Sequence, residues 1–196
     1  MSEVKTINHV TAIGRLIGIN AKENQTSIIL HSKNGRDIYP RFIVPPTISL
    51  ADISIRSKIV VEGHIERTEK KYHDELIINQ YFVADSIHEA KTLLETVLDE
   101  KGIFFEAPSV KIALCGEVIT ITDEEDWIRF SVKVDYDNDE RKSTVVRVSM
   151  KKSDRLPVIE RHDMVAMFCY LGTAKKVING KTKYYEDIMC VDIAKL

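Results

Sequence analysis

One segment of the chain places a tryptophan, an arginine and a lysine at alternate positions of an apolar run. Residues 127–134 read WIRFSVKV. Successive side chains of a β-strand point to opposite faces, so Ile128 and the apolar residues at the following even positions would share one face. Trp127, Arg129 and Lys133 would share the other. Aromatic rings stack on bases and cations meet phosphates, so this row predicts contact with a nucleic-acid strand. A tryptophan that closes the end of a barrel, with solvated charges beside it, is the alternative.

The same alternation selects further candidates. Residues 39–44 read YPRFIV, which predicts Phe42 and Val44 in the core and Tyr39 and Arg41 on the outer face. Arg147 lies between two valines and is expected to point outward in the same way. These three polar or aromatic side chains are therefore candidate contacts for bases and phosphates.

Two segments combine dense positive charge with aromatic rings. They read RTEKKYH over residues 67–73 and KKVINGKTKYY over residues 175–185. The pair Asn179-Gly180 is a strong signal for a type I′ hairpin turn. We expect both segments to form hairpins that wrap nucleic acid, with ordinary solvated turns as the alternative. The candidate contacts here are Arg67, Lys70, Lys71, Tyr72, Lys175, Lys176, Lys181 and Tyr184.

Patterns typical of enzymes and metal sites are weak in this sequence. Gly180-Lys181-Thr182 resembles the end of a phosphate-binding loop, but Lys175 stands where the first glycine is required. The six histidines lack zinc-ligand spacing, and the acidic runs at 123–126 and 135–140 lack the pattern of a calcium loop. We therefore expect no catalytic residues, no metal and no cofactor.

The cysteines are predicted to be structural. Cys115, Cys169 and Cys190 are widely spaced, odd in number and set in apolar runs. This favours reduced, buried thiols without a redox or metal role, in a cytoplasmic protein.

Composition sets the limits for these hypotheses. The chain has 196 residues, 44% of them hydrophobic and 30% charged, with a formal net charge of −2. This is an ordinary globular mixture for one or two domains, without an evident signal peptide or membrane-spanning run. The neutral balance excludes a strongly basic whole domain and still permits a local basic groove.

Short β-rich runs position the candidate residues. In the first half the predicted strands are 10–19, 26–30, 37–44, 58–65 and 75–84. In the second half they are 109–122, 127–136, 143–150, 164–171 and 183–193. Between the halves, Ser86-Ile87-His88-Glu89 fits a capping box, and apolar residues at helical spacing follow it. We therefore expect one linking helix, ended by Lys101 and Gly102.

The two halves look like copies of one module. Residues 10–16 (VTAIGRL) align with 112–118 (IALCGEV), and 83–85 (VAD) with 190–192 (CVD). Gly14 and Gly116 interrupt equivalent apolar strands, where glycine marks a bulge or bend. Five strands in about 80 residues, with a short connection of one or two helical turns after the third, is the layout of the OB-fold.

Two segments of the first half resemble the bacterial single-stranded DNA-binding protein family. Residues 8–16 (NHVTAIGRL) are similar to its opening strand, and residues 57–65 (SKIVVEGHI) to its fourth strand. The resemblance implies an OB-fold that binds single-stranded DNA. Since that family brings four barrels together, it also implies a homodimer of this two-barrel chain.

The chain also departs from the family pattern. Tyr39-Pro40-Arg41 stands where the family's third strand carries a tryptophan ahead of a basic residue, which makes Tyr39 the stacking candidate. The family's acidic, partner-recruiting tail has no counterpart in the final residues, VDIAKL. These differences indicate a divergent relative.

The sequence therefore predicts an all-β protein of two tandem five-stranded OB-folds, at 1–86 and 106–196, joined by a helix at 87–105. The predicted function is non-catalytic, largely sequence-independent binding of single-stranded DNA in replication, recombination, repair or mobile-element transfer. Two alternatives stay open: RNA binding, and a protein-interaction module of a replication or conjugation complex.

Overall fold

The computed structural model describes residues 5–22, 25–34, 36–72, 75–90, 109–136, 139–153, 156–178 and 181–196. Within these ranges the regular structure is entirely β. The strands are β1 (Ile7–Lys22), β2 (Gln25–Asn34), β3 (Arg36–Ile38), β4 (Arg41–Val44), β5 (Lys58–Tyr72), β6 (Glu75–Glu89), β7 (Val110–Asp123), β8 (Trp127–Tyr136), β9 (Asp139–Lys151), β10 (Met164–Ile178) and β11 (Lys181–Lys195). No helix of the described residues is long and apolar enough to cross a membrane.

The strands of the first half close into a ring, here called the N-terminal barrel. β1 pairs with both β2 and β5, β2 pairs with β4, β5 pairs with β6, and a short parallel pairing of β4 with β6 closes the ring. The predicted third strand is split into β3 and β4 around Tyr39-Pro40. Proline has no N–H to donate, which accounts for the break in the ladder.

The second half repeats this arrangement as the C-terminal barrel. β7 pairs with β8 and β10, β8 with β9, and β10 with β11. A parallel pairing of β11 with β9 closes the ring. The five strands of this half were expected from the period-2 alternation, and all five are present.

The two barrels share one continuous sheet because β1 pairs with β7 in antiparallel fashion. Val10 lies opposite Ile112 in this pairing. These two residues are equivalent in the sequence alignment of the halves. Their position opposite each other fits an approximate two-fold axis that passes between them and relates the two barrels.

Alternation of apolar residues builds the core of each barrel. Val10, Ala12 and Leu16 of β1 are completely buried, as are their counterparts Ile112 and Val118 in β7. Successive residues of a strand point to opposite sides. The apolar residues of β1 and β7 therefore fill the barrels, while the residues between them point away from the cores.

Equivalent backbone features recur where each first strand bends. The Leu16 N–H donates to Ser57 O at 2.9 Å, and the Val118 N–H donates to Asp163 O at 2.9 Å. The residue before each acceptor, Arg56 or His162, has φ near +75° (76° and 74°). Only a closely matched local geometry would demand this strained conformation twice in residues other than glycine.

The predicted linking helix is wrong at its start. Ser86, Ile87 and Glu89 belong to β6, where they pair with Glu62, Val61 and Ile59 of β5. A partner strand satisfies their backbone groups, and this tertiary pairing overrides the capping-box pattern. The remaining residues of the predicted helix, 91–105, lie outside the described residues.

The connections after the third strands are turns. Ile48 N–H donates to Pro45 O at 3.0 Å and Ile53 N–H to Leu50 O at 3.1 Å, while Leu156 N–H donates to Ser153 O at 3.1 Å. Ile48, Leu50, Ile53, Leu156 and Ile159 pack against the cores. These connections therefore contribute apolar side chains to the barrels, and their described residues, 45–57, 152–153 and 156–163, contain no helix.

Candidate nucleic-acid interface

The outer sides of β8 and β9 form one candidate surface, named the C-face. Phe130, Val132, Val134, Val146 and Val148 point inward and are buried. The predicted alternation is thus confirmed for both strands. Arg129, Lys133 and Arg147 lie on the opposite side and are exposed, and Arg147 is directly opposite Ser131 in the β8–β9 register. The two strands together therefore present three guanidinium or ammonium groups on one sheet surface.

Acidic residues modify the C-face at one end. Arg129 Nη1 lies 3.2 Å from Glu124 Oε1, in the segment that joins β7 to β8. Ser149 Oγ donates to Asp187 Oδ2 at 2.7 Å. Within the described residues, no carboxylate is ion-paired with Lys133 or Arg147. At the Lys133–Arg147 end of the C-face, Glu117 lies opposite Lys133 in the β7–β8 register but is ion-paired with His162.

Trp127 begins β8 and is partly buried. It lines a cavity of about 490 Å³ together with Met150, Leu156, Pro157 and Tyr170. One side of the tryptophan environment is thus apolar, while Lys151 pairs with it across the ladder. This position combines the two alternatives drawn from the sequence: the ring lies at a barrel end and also borders the row of cations.

The outer sides of β2 and β4 form the corresponding surface of the N-terminal barrel, named the N-face. Ser27 lies opposite Ile43, and Ile29 opposite Arg41, while Phe42 is buried as predicted. Tyr39 precedes β4, is 52% exposed and stacks on His31 with ring centroids 5.4 Å apart. Tyr39 and Arg41 therefore lie outside the barrel, on the side that their alternation predicted.

A cleft of about 770 Å³ separates the N-face from the C-terminal barrel. Lys22, Gln25, Ser27 and Arg41 line its first wall; Leu171 and residues 186–188 line the opposite wall. The N-face therefore borders an open cleft, and its Arg41 is exposed, as the cations of the C-face are.

Two carboxylates make this cleft electrostatically mixed. Glu186 Oε1 accepts a hydrogen bond from the Tyr39 N–H at 3.0 Å. Burial raises the pKa of Glu186, and the Tyr39 hydrogen bond offsets part of this rise. Burial also raises the pKa of Asp187, against hydrogen bonds from Ser149 and Ile188 and the attraction of Arg129. Both carboxylates line the same cleft as Arg41, so in their ionised form they oppose a phosphate there.

Two hairpins extend from the barrels as arms. Beyond Gly63, β5 pairs only with β6 among the described residues, and beyond Tyr170, β10 pairs only with β11. At about 3.3 Å per residue, the ribbons of residues 64–72 and 171–178 are roughly 25–30 Å long. The two basic segments are thus hairpins, with the predicted turn at Asn179-Gly180 outside the described residues.

The arms carry many of the predicted cations. The backbones of Lys70, Tyr72, Lys175, Lys176, Lys181 and Tyr184 lie in these ladders, and their side chains are outside the described parts of the chain. Lys71 is exposed. Arg67 is mostly buried and ion-paired with Glu69, two positions along the same face of β5. Arg67 is therefore the member of the predicted set that is least able to meet a phosphate.

Three contributors to this region were not singled out from the sequence. Gln80 of β6 donates from Nε2 to Arg147 O at 3.3 Å and accepts from the Arg147 N–H. Glu186 and Asp187 line the cleft. Gln80 and Glu186 bond across the contact between the barrels, and Asp187 lines the cleft at that contact. No local pattern in the sequence encodes that contact.

Two closed rings of five strands, each with the order first, second, third, fifth and fourth strand, define the architecture as the OB class. In that class the surface of the second and third strands and the neighbouring hairpins bind oligonucleotides. The C-face and the N-face are these surfaces.

Among solved structures, the chain is similar to the wild-type single-stranded DNA binding protein from Thermus aquaticus. The TM-score is 0.64 at 12% sequence identity, with 98% of this chain and 94% of that chain covered. A deletion mutant of the same Thermus protein gives the same TM-score and identity, with 95% of its chain covered. Likeness at this identity shows the fold. No protein-family model matches the chain, and no curated protein matches it.

Proposed function

We propose that this protein binds single-stranded DNA without catalysis and largely independently of base sequence. The observation that carries the proposal is the exposed row of Arg129, Lys133 and Arg147 on the second and third strands of an OB barrel. This is the surface that OB-folds use for oligonucleotides. The structural likeness to a single-stranded DNA binding protein over 98% of the chain supports it.

In the proposed mode, phosphates follow the C-face and bases stack at its aromatic end. Lys133 and Arg147 meet phosphates, while the exposed side of Trp127 accepts a base. The N-face adds Tyr39 and Arg41, and the arms add the cations at positions 70, 71, 175, 176 and 181 with the rings of Tyr72 and Tyr184. Stacking tolerates any base, and contacts with phosphates do not depend on the base. We therefore expect little preference for base sequence.

We further infer that the chain is a tandem duplication of one OB module. The matched hydrogen bonds at Leu16 and Val118, and the left-handed residues Arg56 and His162, support this inference. The modules correspond to residues 1–86 and 106–196, with residues 87–89 continuing the last strand of the first.

A titration of fluorescein-labelled oligo-dT, followed by anisotropy at low and high salt, tests the function. We expect saturable binding that weakens steeply as salt rises, because each neutralised phosphate releases counterions. A duplex of equal length serves as the control and should compete poorly. Absence of binding at micromolar protein and low salt would overturn the proposal.

Competition separates the two nucleic acids. An unlabelled oligo-dT should displace the labelled strand more effectively than an oligo-U of equal length. Stronger competition by the RNA would reassign the same residues to RNA binding, since the stacking and phosphate contacts are shared.

We also propose that two copies of the chain associate through the outer side of β10 and β11. Phe168 is 49% exposed there and Val191 is 54% exposed. Light scattering coupled to size exclusion should give twice the 22.4 kDa of one chain. The substitution Phe168→Asp should yield the monomer, whereas a wild-type monomer at all concentrations would contradict this assembly.

A further inference from the structure

Two of the three cysteines meet inside the C-terminal barrel. Cys169 of β10 and Cys190 of β11 are direct cross-strand partners, immediately after a bulge in the ladder. The Cα atoms of such antiparallel partners lie about 4.5–5.5 Å apart, within the range of about 4.4–6.8 Å that a disulfide spans. The widely spaced thiols of the sequence are thus brought into bonding register by the fold.

The barrel itself does not require thiols at this position. The equivalent pair of the N-terminal barrel follows the equivalent bulge in β5 and β6, and it is Gly63 opposite Ala84. The ladder thus makes Ala84 the counterpart of Cys190, one residue away from Val83, with which the sequence alignment paired it. Both pairs are buried. The N-terminal barrel therefore closes without thiols at this position, where a Cβ on Gly63 would lie 2.1 Å from Val83 O. The C-terminal barrel differs in having room there for two thiol side chains.

The two thiols differ in their access to small molecules. Cys169 is completely buried, whereas Cys190 lines the cavity of about 490 Å³ that also contains Trp127. Exposed residues such as Lys151 and Asp192 border the same cavity. A small oxidant that enters there would reach Cys190 first, with Cys169 directly behind it.

The hydrogen bond between the two sulfurs points to the same roles. Cys190 Sγ also donates to Asp192 O at 3.1 Å, a bond that is lost when the thiol ionises. The hydrogen bond between the two thiols lowers the pKa of Cys190, whereas the same bond, followed by burial, raises the pKa of Cys169. Thiolates react with peroxides and thiols do not, and Cys190 is the thiol that lines the cavity. Access and the pKa direction together make Cys190 the attacking group and Cys169 the resolving group.

We propose that Cys169 and Cys190 form a reversible oxidation site for hydrogen peroxide, at the base of the β10–β11 arm. Cys190 thiolate attacks one peroxide oxygen, the O–O bond breaks, and protonation of the leaving hydroxide gives water and a sulfenic acid. Cys169 sulfur then attacks the sulfenic sulfur and expels the second water. Overall, two thiols are oxidised by two electrons to one disulfide, while one peroxide is reduced to two waters. The disulfide would join β10 to β11 next to the Leu171–Ile188 pair where the arm begins.

The test uses the full chain, treated with hydrogen peroxide while folded and then quenched. We expect the thiol titre in denaturant to fall from three to one per chain, the mass to drop by two hydrogens, and a peptide map to link Cys169 to Cys190. Dithiothreitol should restore the titre to three. Trp127 fluorescence should change with oxidation, because the tryptophan lines the same cavity.

Three variants make the result specific. Cys115→Ser is the matched control and should still lose two thiols. Cys190→Ser should form no disulfide. Cys169→Ala, which imitates the small residues of the other barrel, should leave a Cys190 sulfenic acid that dimedone traps. A titre that stays at three in the folded wild type, or a disulfide that involves Cys115, would overturn the proposal. These readouts need no DNA, so they stand or fall separately from the proposed function.

Discussion

The N-face and the C-face occupy the same place on two similar barrels, yet they differ in what faces them. The N-face lies across a cleft from Glu186, which accepts a hydrogen bond from the backbone N–H of Tyr39. Asp187 lines the same cleft and also bonds to Ser149 of the C-face, so the two faces share it. The C-face is exposed at its Lys133–Arg147 end. Under the proposed function, the two equivalent faces are two possible positions for a strand of DNA, and Glu186 opposes a phosphate at the N-face. We therefore expect the C-face to dominate binding.

The prediction with the largest expected effect concerns the first strand of each barrel and tests whether both strands need a glycine at the same place. A Cβ at Gly116 would lie 2.1 Å from Lys133 O, and one at Gly14 would lie 2.8 Å from His31 O and 2.4 Å from Ser32 Oγ. Backbone must shift to relieve such contacts, so Gly116→Ala and Gly14→Ala should each destabilise the fold by about 2–3 kcal/mol. Urea unfolding measures this difference.

Gly18→Ala is the matched control in β1, because the nearest atom to its added Cβ is 3.9 Å away. It should unfold like the wild type. A different outcome would be a neutral Gly14→Ala together with an unfolded Gly116→Ala. In that case only β7 would need a glycine, and the two barrels could not be compared as equivalent structures.

The second prediction compares the aromatic residues of the two faces. Stacking contributes about 1–3 kcal/mol per base, which corresponds to about 5–150-fold in affinity. Trp127→Ala should weaken oligo-dT binding within that range, and Tyr39→Ala should weaken it less, because acidic groups face the N-face. Anisotropy titrations on both variants measure the ratio, and quenching of Trp127 on adding DNA locates the base directly.

Trp127→Phe serves as the control for the ring itself and should retain most of the affinity. Thermal melts of each variant separate a lost contact from a cavity at the barrel end, where Met150 and Leu156 lie nearby. A greater loss from Tyr39→Ala than from Trp127→Ala would reverse the order of the two faces.

The third prediction concerns the phosphate contacts. Removing both cations in Lys133→Ala/Arg147→Ala should cost about tenfold in affinity at low salt. It should also reduce the slope of log affinity against log salt by about 1.4, since each lost phosphate contact removes about 0.7. Lys111→Ala changes an exposed cation on β7, away from both faces, and should leave binding unchanged. An unaltered slope in the double variant would place the DNA elsewhere.

Local patterns in the sequence sufficed for the strands and their inward faces. Alternation placed Phe42, Phe130 and Val132 in the core, and the structure buries all three. The helix predicted from the capping box at Ser86 was wrong, because β5, which is distant in sequence, forms ladder hydrogen bonds with the backbone of those residues. A period in the sequence predicts which side of a strand is apolar, but it does not specify where the ladder stops.

The residues that surround the candidate site could not be predicted from the sequence for the same reason. Nothing near Arg147 in the sequence indicates that Gln80 binds its backbone, and nothing near Tyr39 indicates Glu186. The pairing of Cys169 with Cys190 likewise depends on the register of a hairpin ladder. Widely separated residues acquire a joint role only when the barrels close and meet.

The smallest expected effect sharpens the role of the cleft. Burial raises the pKa of Glu186, so the folded state keeps this proton at a pH where the unfolded chain has released it. As pH rises above the ordinary glutamate pKa of about 4.3, this difference lowers the stability of the folded protein. Glu186→Gln keeps an oxygen for the Tyr39 N–H and removes the charge, so its stability advantage over the wild type should grow from pH 4 toward neutrality and vanish below.

Asp163→Asn provides the control of opposite sign. The hydrogen bond from Lys195, at 2.7 Å, lowers the pKa of Asp163, so its contribution to stability is present at neutral pH and is lost as pH falls through that lowered value. Urea unfolding from pH 3 to 8 compares both variants with the wild type. At neutral pH, Glu186→Gln should also bind oligo-dT a few-fold more tightly at low salt, because a phosphate near Arg41 no longer meets that carboxylate. An advantage for Glu186→Gln that grew toward acid pH would show that burial does not govern this group, and the cleft would then no longer explain why the two faces differ.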